Sequence, residues 1–349
     1  MSRKTAVIAG ASGLMGQHLA RHLIATGNWD VIGLARKPLP IRDMRWIRVD
    51  LGEVADCTRA LDGLHEATHI FYAARYDHPE GVRESAAVNT TMLKNLINIL
   101  DPVATLTHVH VLHGTKHYGS QLGPVPVPID EDSPRAPGDN FYFEHEDFLR
   151  DRSRGKPWRY TISRPHAFCD LTTDYPRSLG LVFAVYASIQ RELGEPLWFP
   201  GSAIAYETRT QFSDLSLLAR AITWMADEPR CANQAFNVVN GDYPRWSEMW
   251  RKIAAWFGVN VGAPGKIQLT QLMADKGPVW ASMISKYGLR QTRLEQLALW
   301  PYGDYILKPE WDVVSSMAKA RRFGFHDSVD SGAMFVRQFE YYRAERIIP

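Results

Sequence analysis

The sequence predicts an α/β protein, a doubly wound parallel sheet with a smaller C-terminal lobe, and three observations carry that prediction. A glycine-rich strand–turn–helix pattern lies at residues 5–16. Short apolar runs then alternate with amphipathic stretches as far as Ser163, the signature of repeated βαβ units. Beyond Arg164 the pattern turns mainly helical, broken by one late strand at residues 235–239. With 349 residues, 45% of them hydrophobic, the chain is long enough to bury a large core and too apolar to be disordered.

The first element is the strand Thr5-Ala6-Val7-Ile8-Ala9, followed by glycines at 10, 13 and 16 and an amphipathic run from Leu14. Glycines at this spacing let the chain turn sharply, let a pyrophosphate approach the backbone, and let helix pack on strand. The free N–H groups of the helix start face the anion. Gly10, Ser12, Gly13, Leu14, Met15 and Gly16 are therefore expected to cradle a dinucleotide in a Rossmann-type fold. The next strand, residues 31–35, stands where a βαβ unit places it. Strands follow at 46–50, 68–73, 108–112 and 160–163, with helices at 82–100 and 141–152. Prolines 124, 126, 128, 134 and 137 make an irregular loop of the intervening stretch, expected to lie over the edge of the active site.

Past Arg164, residues 180–193 and 214–225 read as helices. Trp246, Met249, Trp250, Ile253, Trp256 and Phe257 fall at helical spacing, and a core-facing helix is the expected reading. The division expected is 1–170 mainly for nucleotide binding and 171–349 mainly for substrate, with 205–245 returning to the sheet.

A formal net charge of +2 without blocks of like charge argues against nucleic-acid or membrane partners. Cys57, Cys169 and Cys231 are far apart and lack C-x-x-C spacing, so neither a disulfide framework nor a zinc site is expected. His18 and His22 stand one helical turn apart but have no carboxylate or third histidine beside them in sequence, and a solvated helix face is the reading. No signal segment or membrane span is evident, and a cytoplasmic location is expected.

The second strand ends Leu34-Ala35-Arg36-Lys37, without the carboxylate that would accept the ribose 2′-hydroxyl of NAD. Arg36 offers a permanently charged fork for a 2′-phosphate, with Lys37 as a second cation, so NADPH/NADP+ is the expected cofactor.

Two segments, His113-Gly114-Thr115-Lys116-His117-Tyr118-Gly119 and Asn140-Phe141-Tyr142-Phe143-Glu144-His145-Glu146-Asp147, resemble the T-G-x-K-H-Y and N-F-Y-Y-x-x-E-D signatures of the progesterone 5β-reductase and iridoid synthase family. Those proteins are atypical extended short-chain dehydrogenases/reductases that reduce α,β-unsaturated carbonyls with NADPH. The resemblance continues through residues 33–36, 68–72, Arg164-Pro165, 235–242, 278–280 and the closing Ile347-Ile348-Pro349. It implies that Tyr142 and Lys116 are the catalytic pair. An ordinary member has Y-x-x-x-K, and that lysine position is Glu146 here. The resemblance also implies cofactor contacts for Asp50 and Leu51 near the adenine, for Ala73 and Ala74, and for Pro165 and His166 near the nicotinamide. His113, standing for the family's threonine, Gly119 and Phe325 are expected on the substrate side, with Tyr302 or Trp300 beside them.

The expected reaction is hydride transfer to the β-carbon of an enone or enal, with Tyr142 and Lys116 stabilising the enolate. Carbonyl reduction by the same residues is the alternative, and a non-enzymatic NADPH sensor ranks third. The partners expected are an unsaturated carbonyl or ketone substrate and, at most, a second copy of the chain in a homodimer.

Overall fold

A computed structural model describes residues 3–76, 85–172 and 175–349. Nine strands are present among them. β1 (Lys4–Ala9), β2 (Trp29–Ala35), β3 (Met44–Arg48), β4 (His69–Tyr72), β5 (His108–Leu112), β6 (Arg159–Pro165) and β9 (Gln234–Val238) form one sheet in the order β3-β2-β1-β4-β5-β6-β9. Every pairing in it is parallel. β7 (Ala167–Cys169) and β8 (Phe212–Asp214) pair separately. The order reverses direction at β1 and β4, which is where a doubly wound sheet opens a crevice beyond its strand ends.

The alternation of β1 explains the two layers. Ala6 and Ile8 face one side, with Met15, Leu19 and Leu23 of helix α1 (Leu14–Ala25) and the buried face of α7 (Leu215–Asp227). Val7 and Ala9 face the other, with Leu93, Leu96 and Ile97 of α3 (Ala86–Leu100) and Leu149 of α4 (Phe141–Arg152). Cys57 and Leu61 of α2 (Val54–Leu61) complete this second layer. Strands covered on both faces read as continuous apolar runs, as these do.

A third core lies in the C-terminal half. α5 (Leu179–Leu193) is buried from Leu179 to Gln190, and α8 (Trp246–Phe257) lays its aromatic stripe against it. Trp250 meets Phe183 and Phe199 edge-on, with ring centroids 5.4 and 5.3 Å apart, and its indole N–H donates to Leu197 O at 3.0 Å. The core-facing reading of that helix is the observed one. Between α5 and α7 lies one further short helix, α6 (Ala203–Glu207).

Local signals placed several boundaries closely. Helix α4 begins at Phe141 because the Asn140 side chain accepts from Tyr142 N at 3.0 Å, and Arg150 and Arg152 sit in its last turn against the helix dipole. Other boundaries moved. The strand expected at 46–50 runs Met44–Arg48, because Asp50 N turns out of the ladder to the Asp56 side chain at 2.7 Å. The helix expected from residue 82 begins at Ala86, capped by Ser85, and 82–84 lie outside the described residues.

The proline-rich loop lies elsewhere than expected. It does not cover the cleft described below; it is held on the flank by Ile129, which pairs with residues 314–316, and by Ala136 N donating to His117 O at 2.8 Å. Among the described residues none between 117 and 140 lines the cleft. No helix of the described residues is long and apolar enough to cross a membrane.

Candidate active site

One cleft of ≈ 850 Å³ runs along the carboxyl ends of β1, β2, β4, β5 and β6. Its volume lies in the roughly 300–1,000 Å³ range of small-molecule sites. At one end stand Gly10, Ser12, Gly13, Leu14 and Met15, with Arg36 from the end of β2 and Asp50 and Leu51 from the end of β3. In the middle are Ala73, Ala74, His113, Gly114, Thr115, Lys116, Tyr142, Pro165 and His166. At the other end the C-terminal half contributes Tyr175, Arg177, Tyr302, Tyr305 and Ile306.

The glycine turn is shaped by its own crowding. Gly10 has φ +79°, and a Cβ there would stand 2.7 Å from the Ala74 backbone. A Cβ on Gly16 would overlap Gly10 O, so Gly16 packs beneath the turn and does not reach the cleft wall. Gly13 differs. Its nearest neighbour would be Gly10 O at 3.3 Å, and it is the residue on which α1 starts, with no side-chain cap. The first N–H groups of α1 thus open onto the cleft without a competing side chain, the arrangement that receives a phosphate. The residues present fit a dinucleotide.

The centre of the site is assembled from two elements. Lys116 rides on a single 3-10 turn, Thr115–His117, that follows β5, and Tyr142 occupies the first turn of α4. Tyr142 is buried, and its hydroxyl sits over Gly114, where an added Cβ would lie 3.4 Å from the phenol oxygen and 3.5 Å from Pro165 O. Its ring stacks on His113 with centroids 4.4 Å apart and planes 17° off parallel. Both ring nitrogens of His113 are buried without a hydrogen-bond partner among the described residues.

Burial pushes the His113 pKa well below the ordinary imidazole value, and the nearby His145 and Arg164 act in the same direction. Burial also pushes His145 down to about 4 and His166 to about 3. Near neutral pH these rings are uncharged, so positive charge at the centre comes from amines and guanidiniums. His166 is held by Ser315 Oγ at 2.8 Å and by its own N–H on Ser213 Oγ at 2.9 Å.

Glu146 has a different occupation from the lysine it replaces in the usual pattern. It lies 3.1 Å from Arg164, whose side chain is 2% exposed, and also meets Arg150 and Arg135 at 3.3 and 3.5 Å. Arg164 donates further to Tyr118 Oη at 3.0 Å and Glu131 O at 2.9 Å, and Tyr118 donates to Asn237 at 2.7 Å. Burial pushes the Tyr118 hydroxyl up to about 12, which keeps it a neutral link in this buried network.

Besides Gly16, three expectations for the site are not met by placement. Phe325 lies in the core on the far side of the sheet, 5.2 Å from Trp224 of α7, and not on the substrate side. Gly119 sits outside the cleft against Ala136, at φ +77°. Lys37 is exposed and does not join Arg36 on the wall. Tyr302 lines the cleft, whereas Trp300 is in the C-terminal core. His18 does have a carboxylate neighbour, Asp170 at 3.2 Å, brought from far along the chain; the described residues contain no group of three metal-ligating side chains.

Sequence reasoning missed Tyr175, Arg177, Tyr305, Arg75, Tyr76 and Phe168. Thr115 and Gly114 carried a signal, since they stand inside the quoted H-G-T-K run.

The chain is similar to known proteins over nearly its whole length. Residues 6–349 match the family model described as PRISE-like Rossmann-fold domain. The chain is similar to (S)-8-oxocitronellyl enol synthase of Camptotheca acuminata, 31% identical over 99% of this chain and 94% of that one. It is similar to 3-oxo-Delta(4,5)-steroid 5-beta-reductase of Arabidopsis thaliana, 32% identical over 99% and 93%. A short chain dehydrogenase of Penicillium aethiopicum is 32% identical over 99% of both chains. Among solved structures, a short-chain dehydrogenase/reductase superfamily protein of Agrobacterium tumefaciens with bound NAD has TM-score 0.70 at 14% identity, covering 97% of each chain, a likeness of fold.

Proposed function

The chain belongs to the PRISE-like Rossmann-fold family, and on that premise we propose that its cleft holds NADPH beside an α,β-unsaturated carbonyl whose oxygen is received by Tyr142. The protein is an oxidoreductase of the short-chain dehydrogenase/reductase type that uses a nicotinamide cofactor. The observation that carries the reading is the Tyr142 hydroxyl over Gly114, in the middle of the cleft and within the same wall as Lys116.

Gly10, Ser12, Gly13, Leu14 and Met15 hold the pyrophosphate, Asp50 and Leu51 flank the adenine, and Ala73, Ala74, Pro165 and His166 border the nicotinamide half. In this arrangement residues 1–170 serve mainly the cofactor, 205–245 complete the sheet, and the remaining C-terminal residues close over the substrate. When bound, the cofactor supplies a hydride to the β-carbon of the conjugated system. Negative charge then gathers on the carbonyl oxygen, and Tyr142 donates its hydrogen bond there, where a fixed donor in a water-poor site lowers the barrier most. Lys116, on the same wall, would set a positive charge near the developing negative charge and steady the ribose. Packing of the Tyr142 ring on His113 limits rotation of the phenol, so the donor is set before the substrate arrives.

Arg36 selects the phosphorylated cofactor. Arg36→Ala is expected to weaken NADPH roughly 10- to 100-fold, the worth of charge-assisted hydrogen bonds, and to leave NADH nearly unchanged. The ratio of the two dissociation constants checks it, and an unaltered ratio assigns the preference elsewhere. The reaction is tested by the product formed from one conjugated enone with NADPH. With water protonating the α-carbon of the enolate, a saturated ketone is expected, and an allylic alcohol would move the assignment to carbonyl reduction.

A further inference from the structure

Asn140 lies outside the cleft wall, yet its side chain holds both segments that deliver the central pair. Its Oδ1 accepts from Tyr142 N at 3.0 Å, and its Nδ2 donates to Lys116 O at 3.0 Å. The partners fix the amide's orientation, because one is a donor and the other an acceptor. The turn bearing Lys116 is only three residues long, closed by His117 N on Gly114 O at 3.1 Å and Tyr118 N on Thr115 O at 2.9 Å. The neighbouring His117 also faces α4, its ring meeting Phe143 edge-on with centroids 5.2 Å apart and standing 3.9 Å from the Glu146 carboxylate. The Asn140 amide is a direct link between the Lys116 backbone and the Tyr142 backbone.

We propose that Asn140 is a positioning residue: its carboxamide sets the spacing between Lys116 and Tyr142, beyond its service as the cap of α4. This rests on the proposed role of that pair. The two tasks are chemically separable. Aspartate and serine are both good caps and keep an acceptor for Tyr142 N. Aspartate has the amide's shape but cannot donate to Lys116 O, and its charge repels that oxygen. Serine is neutral but too short to reach it. Only the carboxamide does both.

The experiment measures kcat, KM for enone and NADPH, the isotope effect with deuterated NADPH, and thermal unfolding, for wild type, Asn140→Asp, Asn140→Ser and Tyr142→Phe. The clamp predicts that both Asn140 variants unfold close to wild type but lose about 10- to 100-fold in kcat, as expected when catalytic groups are displaced by about 1 Å. The isotope effect rises as hydride transfer becomes slower, while KM for the enone stays nearly constant. Wild-type kcat in both variants, or a fall no larger than the loss of folded protein, overturns the clamp and leaves Asn140 as a cap. If both variants are too unstable to assay, Asn140 is chiefly a structural cap and the proposal is overturned as well. Tyr142→Phe separates this from the underlying reading. If that variant keeps its activity, the role of the pair fails; if it loses activity while the Asn140 variants do not, only the clamp fails.

Discussion

Tyr142→Phe is expected to lower turnover by about 100- to 1,000-fold while leaving NADPH affinity nearly unchanged. The size follows from what is removed. The ring remains, so its stack on His113 and its place at the start of α4 are kept, and only the hydroxyl over Gly114 is lost. That hydroxyl acts on charge that exists in the transition state and hardly at all in the bound enone, so the loss falls on kcat and not on KM. Single-turnover measurement of NADPH oxidation gives the number directly. Turnover within a few-fold of wild type would remove Tyr142 from the chemistry.

The second large effect concerns Glu146. Glu146→Lys rebuilds the Y-x-x-x-K spacing of ordinary short-chain dehydrogenases, and it is expected to destabilise the protein without improving catalysis. The carboxylate it removes is the partner of Arg164, a guanidinium almost wholly out of water, whose other acceptors are the neutral oxygens of Tyr118 and the Glu131 backbone. Breaking a buried pair by deleting one partner costs about 3–5 kcal/mol. The new ammonium would add repulsion from Arg135 and Arg150, which also face this position. Urea unfolding followed by intrinsic fluorescence should show a loss of at least that order. A variant as stable as wild type would mean that Arg164 is neutralised by groups other than Glu146.

What the sequence made legible was local. The glycine spacing announced a turn that the structure explains by contacts within a few residues and one neighbouring strand end. The bounds expected for helix α4 match the observed ones, where a cap at Asn140 and a basic last turn act within four residues. The register of β3 could not be read in this way, since it is ended by the bond from Asp50 to an Asp56 side chain on the following helix. The far wall of the cleft was illegible for a related reason. Tyr175 and Arg177 come from an irregular segment and Tyr305 and Ile306 from a short helix at Trp300–Leu307, and no spacing in the chain records their approach to the cleft. Phe325 failed in the opposite sense. The family resemblance suggested a substrate-side aromatic, but the residue fills the space between α7 and β9 with Trp224 and Phe236. Glu146 joined the two kinds of information: the sequence showed that the usual lysine was missing, and only the fold showed what its replacement holds.

The reaction is defined by where the hydride goes. NADPH deuterated at the transferred position of C4, reacted with one conjugated enone and followed by NMR of the product, should give a saturated carbonyl with deuterium on the former β-carbon. Deuterium on a carbinol carbon, with the double bond intact, would contradict it.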